Sequence, residues 1–316
     1  HIKNTNKYDI NKSLNKIGYK IKNKISETLQ GSVYLGKNIN TNKIVCIKVT
    51  SQKLHTKGIG NGITNKVKVQ ENIIKEVSIM KYLQNKSPPK GFIKVLDYFK
   101  DTSNYYVIME YGGKPFFEYI RNKTKQLHTG KITSKYWKSQ VKTFFKQMVY
   151  YVNWLHSNNC CHLDISLENM CIKGCEFKKG KFVSHGQINF IDFGLAKSFI
   201  GRKSFDNCTK YVGKTAYKAP EVFLKIPFNA GKADVWCMAV VLFVFIFGYL
   251  PYNYYKPSTN DEIFNMIYHG NMDHYGNTVH KSEYLSDSLL DLLSHILCVE
   301  EQRWTINEVM KHECLN

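Results

Sequence analysis

The chain has 316 residues, 43% of them hydrophobic, which suffices for one two-lobed domain or two small ones and excludes wholesale disorder. Lysine and arginine number 45 against 25 acidic residues, a net charge of +20. That balance fits an acidic partner (nucleotide, nucleic acid, an anionic membrane face or acidic protein), or else a lysine- and asparagine-rich genome writing its bias onto solvated surfaces. The nine cysteines, Cys160 and Cys161 adjacent among them, form no disulfide framework in a chain of this size, so a reduced, intracellular protein is expected. Numbering opens on His1 rather than methionine, as expected of a fragment.

Residues 1–20 are rich in lysine and asparagine with little periodicity and read as a basic leader or loosely attached extension. Short alternating stretches follow, Val33-Tyr34-Leu35 and Ile44-Val45-Cys46-Ile47, which predict antiparallel strands. Thr50 to Lys66 carries Gly58, Gly60 and Gly62 among basic residues and reads as an exposed, flexible insertion. Ile73, Val77, Met80 and Leu83 recur at helical spacing, and two more strands are predicted at Phe92 to Tyr98 and Tyr105 to Glu110. After Gly112-Gly113 the pattern turns helical. Trp137, Val141, Phe144, Phe145, Met148, Val152 and Leu155 mark a long amphipathic helix. Further helices are predicted over Val235 to Phe247, Asp261 to Tyr268, Ser286 to Leu297 and Thr305 to Lys311. The apolar run Ala239 to Phe247 is too short to span a bilayer and reads as a buried helix, so no transmembrane segment is expected. Strands first and helices after give an α+β fold, a small sheet-rich lobe ahead of a larger helical one.

Moving a phosphoryl group from a nucleotide needs a cation on the phosphates, an acid to fix that cation, metal ligands and a carboxylate to aim the hydroxyl. The sequence supplies them in one order. Val45-Cys46-Ile47-Lys48 ends a strand on a lysine, and Glu76 on the next helix is its natural partner. His162-Leu163-Asp164-Ile165-Ser166-Leu167-Glu168-Asn169 presents a carboxylate and then an amide. Asp192-Phe193-Gly194 follows the apolar strand Ile188 to Ile191, and Ala219-Pro220-Glu221 closes the segment. Together, ordered and spaced in this way, these blocks resemble the protein kinase signature set from about Tyr19 to the end of the chain. Asp234-Val235-Trp236 and Arg303 agree with it.

The resemblance implies a bilobal fold, with an N-lobe over 21–111 built on five antiparallel strands and a helix, and a helical C-lobe over 112–316. It implies ATP and magnesium as cofactors, and protein substrates bearing serine or threonine. Asp164 would be the catalytic base, Asn169 and Asp192 the magnesium ligands, Lys48 the grip on the phosphates and Glu76 its pin. Ile25, Gly31, Val33 and Cys46 would line the nucleotide site. Met109 falls at the gatekeeper position, with Glu110, Tyr111 and Gly112 as the hinge. Glu221 would pair with Arg303, and Asp234 would brace the catalytic loop.

Several positions depart from the pattern. Ser26 and Thr28 stand where the first two glycines of the phosphate loop belong, which implies looser phosphate contact or, in the rival reading, a pseudokinase scaffold. The altered loop, the His-Leu-Asp triplet and Gly213-Lys214-Thr215 with Tyr217 resemble the FIKK kinases of apicomplexan parasites, although Cys46-Ile47-Lys48-Val49 keeps only the central Ile-Lys. That likeness leaves export into a host cell open beside a cytoplasmic location.

Leu163 replaces the arginine that binds an activation-segment phosphate, so activity without phosphorylation of Ser198, Ser204, Thr209 or Tyr211 is expected. Ser166 and Lys214 look exchanged relative to the usual lysine and threonine. Either Lys214 supplies the displaced positive charge, as a catalytic residue bonded to Ser166, or it faces solvent and Thr215 takes the threonine's role. Cys160, Cys161, Cys171 and Cys175 allow a zinc site, with core and loop cysteines favoured. Lys173, Lys178, Lys179 and Lys181 mark an enlarged hairpin with little aromatic interleaving, so nucleic acid is not an expected partner. A monomer is expected. Glu168 suits a basic residue upstream of the phosphosite, while Val244 is apolar where a second acid serves that purpose, which gives a modest basic preference.

Overall fold

Isoleucine, valine and threonine dominate Ile44–Ser51, and side chains stiffened by β-branching favour extended backbone. This segment is the middle strand of a five-stranded antiparallel sheet. The computed structural model describes residues 5–62, 65–178, 181–252 and 287–315. The chain divides into two units: His1–Ser87, Phe92–Gly112 and Asp192–Gly194 form the first, and Pro88–Gly91, Gly113–Ile191 and Leu195–Asn316 the second. A sheet-rich beginning and a helical remainder make the fold α+β.

The first unit runs α1 (Thr5–Lys16), β1 (Tyr19–Thr28), β2 (Gly31–Asn38), β3 (Ile44–Ser51), α2 (Gln52–Thr56), β4 (Ile59–Asn61), β5 (Lys66–Lys68), α3 (Ile73–Gln84), β6 (Val95–Lys100) and β7 (Asn104–Glu110). Its large sheet has the order β1-β2-β3-β7-β6. Because strand side chains alternate, β3 sends Val45, Ile47 and Val49 to one face and Cys46 and Lys48 to the other. The first face joins Tyr34, Tyr106 and Ile108 in a core that Ile10 and Leu14 of α1 complete. Two expectations are corrected here. The supposed loose extension contains a helix with Leu14 fully buried. The supposed flexible insertion contains α2 and the β4–β5 hairpin.

The insertion is tied to the β1–β2 turn. Asn61 N donates to Leu29 O (2.6 Å), and buried Gln30 donates through Nε2 to Ile59 O (3.0 Å) and Leu54 O (3.3 Å).

The second unit contains β8 (Lys114–Pro115), α4 (Phe116–His128), α5 (Ser134–Ser157), β9 (Cys160–Cys161), β10 (Met170–Lys178), β11 (Lys181–Phe190), β12 (Lys197–Ser198), α6 (Pro220–Phe223), α7 (Ala230–Phe247), α8 (Asp287–Ile296) and α9 (Ile306–Met310). Thr133 caps α5 by accepting from Tyr136 N, and Trp137, Val141, Phe144, Phe145, Met148, Val152 and Leu155 form its buried stripe. α7 is apolar all round and accordingly buried all round. It is long and apolar enough to cross a membrane, yet 89% of it is buried inside the protein, as a core helix would be. Trp137 Nε1 donates to Phe245 O at 2.9 Å and locks α5 to α7. The helix expected over Asp261 to Tyr268 lies outside the described residues, as does Ser286 ahead of α8.

Candidate active site

In the first unit, β3 places Lys48 opposite Val33 of β2 and Val107 of β7, with its side chain on the face away from α1. Asn72 caps α3 through Ile74 N and Lys75 N, which sets Glu76 in the helix's first turn. Lys48 Nζ donates to Glu76 Oε2 (2.8 Å) and Asp192 Oδ1 (3.3 Å). Burial alone would lower the Lys48 pKa, but Asp192, Glu76 and Glu71 outweigh it and hold the ammonium charged, above the usual lysine range. Burial also lifts the Glu76 carboxyl to about 7, against the pull of Lys48. Asp192 holds a left-handed backbone (φ 65°), with its side chain 34% exposed and Oδ1 also accepting from Gly194 N.

The other residues expected at a nucleotide site lie around Lys48 in several settings. Cys46 pairs with Met109 and Leu35, so Cys46, Met109, Val33 and Lys48 share one face of the sheet. Ile25 sits in a bulge between Lys24 and Ser26 and is 46% exposed. Glu110 ends β7, where its N donates to Lys94 O, and Tyr111 and Gly112 close the first unit. Gly31 has a structural reason of its own: a Cβ there would lie 1.9 Å from Val49 O, so β3 itself requires the bare backbone. Beyond that bulge, Ser26 pairs with Val33, Glu27 with Ser32 and Thr28 with Gly31, so β1 and β2 stay in register up to their turn.

In the second unit, Asp164 lies in the loop after β9. Asn169 Nδ2 donates to Asp164 O (2.8 Å) and Asp164 Oδ2, which leaves the amide oxygen of Asn169 as its acceptor. Lys214 approaches from the other side. Its N donates to Asp164 Oδ1 (3.1 Å), and its Nζ donates to Asp164 Oδ2 (3.0 Å) and Ser166 Oγ (3.0 Å). Gly213 permits this approach: it adopts φ 84°, and a Cβ would lie 3.0 Å from Leu163 O. Fully buried Asp234 accepts from His162 N (2.8 Å) and Leu163 N (2.7 Å) and meets His156 Nε2 at 3.0 Å, which holds Leu163 at φ 62°. Arg303 makes a bidentate pair with Glu221 (2.5 and 3.0 Å), spends its other donors on Cys298 O and Lys232 O, and lies 4.8 Å from the Trp236 ring. Breaking so buried a pair from one side is costly, so it reads as a brace.

The sequence of this chain matches the family described as "Protein kinase domain" over residues 19–315. The chain belongs to that family. Among similar kinases is "Probable serine/threonine-protein kinase MARK-A" of Dictyostelium discoideum, 30% identical over 84% of this chain and 22% of that protein. Others are "CBL-interacting serine/threonine-protein kinase 13" of Arabidopsis thaliana (26%, over 89% of this chain and 47% of that protein) and "Probable serine/threonine-protein kinase HSL1" of Saccharomyces cerevisiae (26%, 95% and 19%). The chain thus spans between 19% and 47% of the length of these relatives.

Within this kinase domain, Lys48, Glu76 and Asp192 meet in the first unit, and Asp164, Asn169, Ser166 and Lys214 meet in the second. Sequence reasoning missed Glu71, a third acid acting on Lys48 that also packs near Gly194. The signal available was its position one residue ahead of the α3 cap. Among the described residues, one histidine–cysteine–aspartate group has ligand-like spacing, His156, Cys161 and Asp234, and the carboxylate there is taken by backbone N–H groups. Among the described residues, Cys160 and Cys171 are outside that group; the side chain of Cys175, the fourth cysteine of the expected zinc site, lies outside the described residues.

Proposed function

We propose that this chain is the catalytic domain of a protein kinase that transfers the γ-phosphate of ATP to serine or threonine hydroxyls of proteins. The observation that carries this reading is the Lys48 ammonium held between Glu76 and Asp192, a phosphate-binding cation kept charged by buried acids. The serine/threonine acceptor follows the names of the relatives. Asp192 and Asn169 offer the hard oxygens that magnesium prefers, one a carboxylate and one an amide oxygen left over by Nδ2 bonding to Asp164. Held by those two oxygens, magnesium would supply positive charge against the phosphates of the nucleotide. In this reading Lys48 orients the phosphates, Met109 to Gly112 receive the adenine edge, and Asp164 aims the acceptor hydroxyl and takes its proton. A finer placement near the FIKK kinases rests on the altered phosphate loop, His162-Leu163-Asp164 and Gly213-Lys214-Thr215 with Tyr217, while Cys46-Ile47-Lys48-Val49 keeps only the central Ile-Lys of that family.

The test is labelled ATP with magnesium and a serine, threonine and tyrosine peptide library, comparing wild type with Asp164→Asn. Transfer should fall at least about 1,000-fold while nucleotide binding persists. The altered phosphate loop is the observation that favours a pseudokinase: nucleotide binding without transfer by the wild type would select it. Turnover unchanged in Asp164→Asn would remove the kinase reading as drawn here.

A further inference from the structure

Lys214 is a lysine with an unusual address. Its ammonium reaches the Asp164 carboxylate and the Ser166 hydroxyl at 3.0 Å each, and its own backbone N–H bonds the same carboxylate. A surface lysine with nothing to do would extend into water, where its ammonium is better hydrated and its side-chain entropy is kept. Here the side chain is 37% exposed and turned onto an aspartate that also accepts from Asn169 Nδ2 and feels the charge of Lys218. Gly213, bent by its left-handed conformation under the Leu163 carbonyl, serves that approach.

Resting on the kinase reading above, we propose that Lys214 is a catalytic residue, the cation that meets the transferring phosphoryl group beside Asp164. In the step it serves, the acceptor O–H bond breaks and its proton passes to the Asp164 carboxylate. The acceptor oxygen forms a bond to the γ-phosphorus, and the bond from that phosphorus to the β-bridging oxygen breaks, its electron pair leaving on ADP. In the transition state negative charge is spread over the three equatorial oxygens of the phosphoryl group, which lies next to Asp164 as the acceptor oxygen attacks. An ammonium already placed there offsets that charge with no reorganisation at the moment of reaction. Ser166 gives Nζ a second acceptor, so the ammonium keeps a defined position when the phosphoryl group draws it from Asp164 Oδ2. Because Lys214 belongs to the segment that precedes α6, the charge is present only when that segment is seated on the Asp164 loop.

The experiment uses the whole chain with labelled ATP, magnesium and a peptide substrate, and compares Lys214→Ala, Lys214→Arg, Lys214→Thr and the paired exchange Ser166→Lys with Lys214→Thr. We expect Lys214→Ala to lower kcat about 100-fold with KM for ATP and peptide changed less than about threefold, and Lys214→Arg to recover part of the loss. The paired exchange should exceed Lys214→Thr alone by about tenfold, since it returns an ammonium to the same site from the other element. A purely structural lysine would not be rescued in this way. Lys214→Ala within twofold of wild type, or a paired exchange no better than Lys214→Thr, overturns the assignment. If Asp164→Asn has meanwhile abolished transfer, the kinase reading stands without it, whereas a wild type that transfers nothing removes both.

Discussion

Glu76 sits where burial and charge pull in opposite directions: burial lifts its carboxyl to about 7, and the Lys48 ammonium 2.8 Å away resists that rise. The consequence for stability has a definite sign. An unperturbed glutamate titrates near 4.5, so between about pH 4.5 and 7 the folded chain keeps a proton that the unfolded chain releases. The stability that proton contributes is whole below 4.5 and is lost as pH rises through 7, the reverse of an ordinary salt-bridged carboxylate. Glu76→Gln has no such titration. Between pH 5 and 8 the wild type should therefore lose about 1–3 kcal/mol more stability than the variant, one pKa unit corresponding to about 1.4 kcal/mol. Urea unfolding midpoints at the two pH values check this. Parallel pH dependences of the two proteins would show that Glu76 stays ionised throughout.

At the scale of elements, the segments least legible in the sequence are the ones the first unit leans on. α1 shows only a few apolar residues among lysines and asparagines, and among its described side chains the two that are buried, Ile10 and Leu14, stand one helical turn apart. So sparse a stripe gives almost no periodic signal, although it closes the face built from Tyr34, Val45, Ile47, Val49, Tyr106 and Ile108. The insertion was hidden for another reason: Asn61 acts through its backbone, and Gln30 looks like any polar turn residue until Leu54 O and Ile59 O are seen to face its amide. β3, α3 and α5 were plain because each carries a regular stripe of the right period. If α1 is part of the core, Leu14→Ala should cost about 2–5 kcal/mol, the usual range for truncating a buried leucine, while exposed Lys12→Ala should stay within about 0.5. Thermal or urea unfolding of the whole chain measures both, and equal small effects would mean the helix detaches without consequence.

For the molecule as a whole, the chemistry was more legible than the scaffold, since Lys48, Asp164, Asn169 and Asp192 are residue types that phosphoryl transfer demands in that order, whereas packing partners are interchangeable. The Lys214 contact was half legible: a charge missing at Ser166 and one added at Lys214 suggested an exchange, but nothing in the spacing of the two segments fixed the 3.0 Å hydrogen bond from Nζ to Ser166 Oγ. The same logic bears on how the segment between Asp192 and Glu221 is held. Leu163 is buried and apolar, with its backbone committed to Asp234, so it offers no cation to an activation-segment phosphate. The segment is held by other means. Cys208 and Phe228 exchange backbone hydrogen bonds (2.9 and 3.0 Å), and Ala230 N donates to Phe205 O (3.0 Å). Asn229 Nδ2 donates to Asp206 Oδ1 (2.7 Å), and the Phe205 ring packs edge-on to Phe199 and against His156. Lys218 and Lys225 lie 3.6 and 5.2 Å from the Tyr211 ring, cation–π contacts that tie the segment to the α6 region. A segment seated by backbone pairs, aromatic contacts and cation–π contacts should not need a phosphate to order it. Phosphatase-treated protein should therefore keep its turnover within about twofold, and replacing Ser198, Ser204, Thr209 and Tyr211 one at a time by Ala, Ala, Val and Phe should not mimic the loss expected of Asp164→Asn. Near-complete loss after phosphatase, restored on rephosphorylation, would mean that a cation other than one at position 163 receives the phosphate and that the seated segment is not enough.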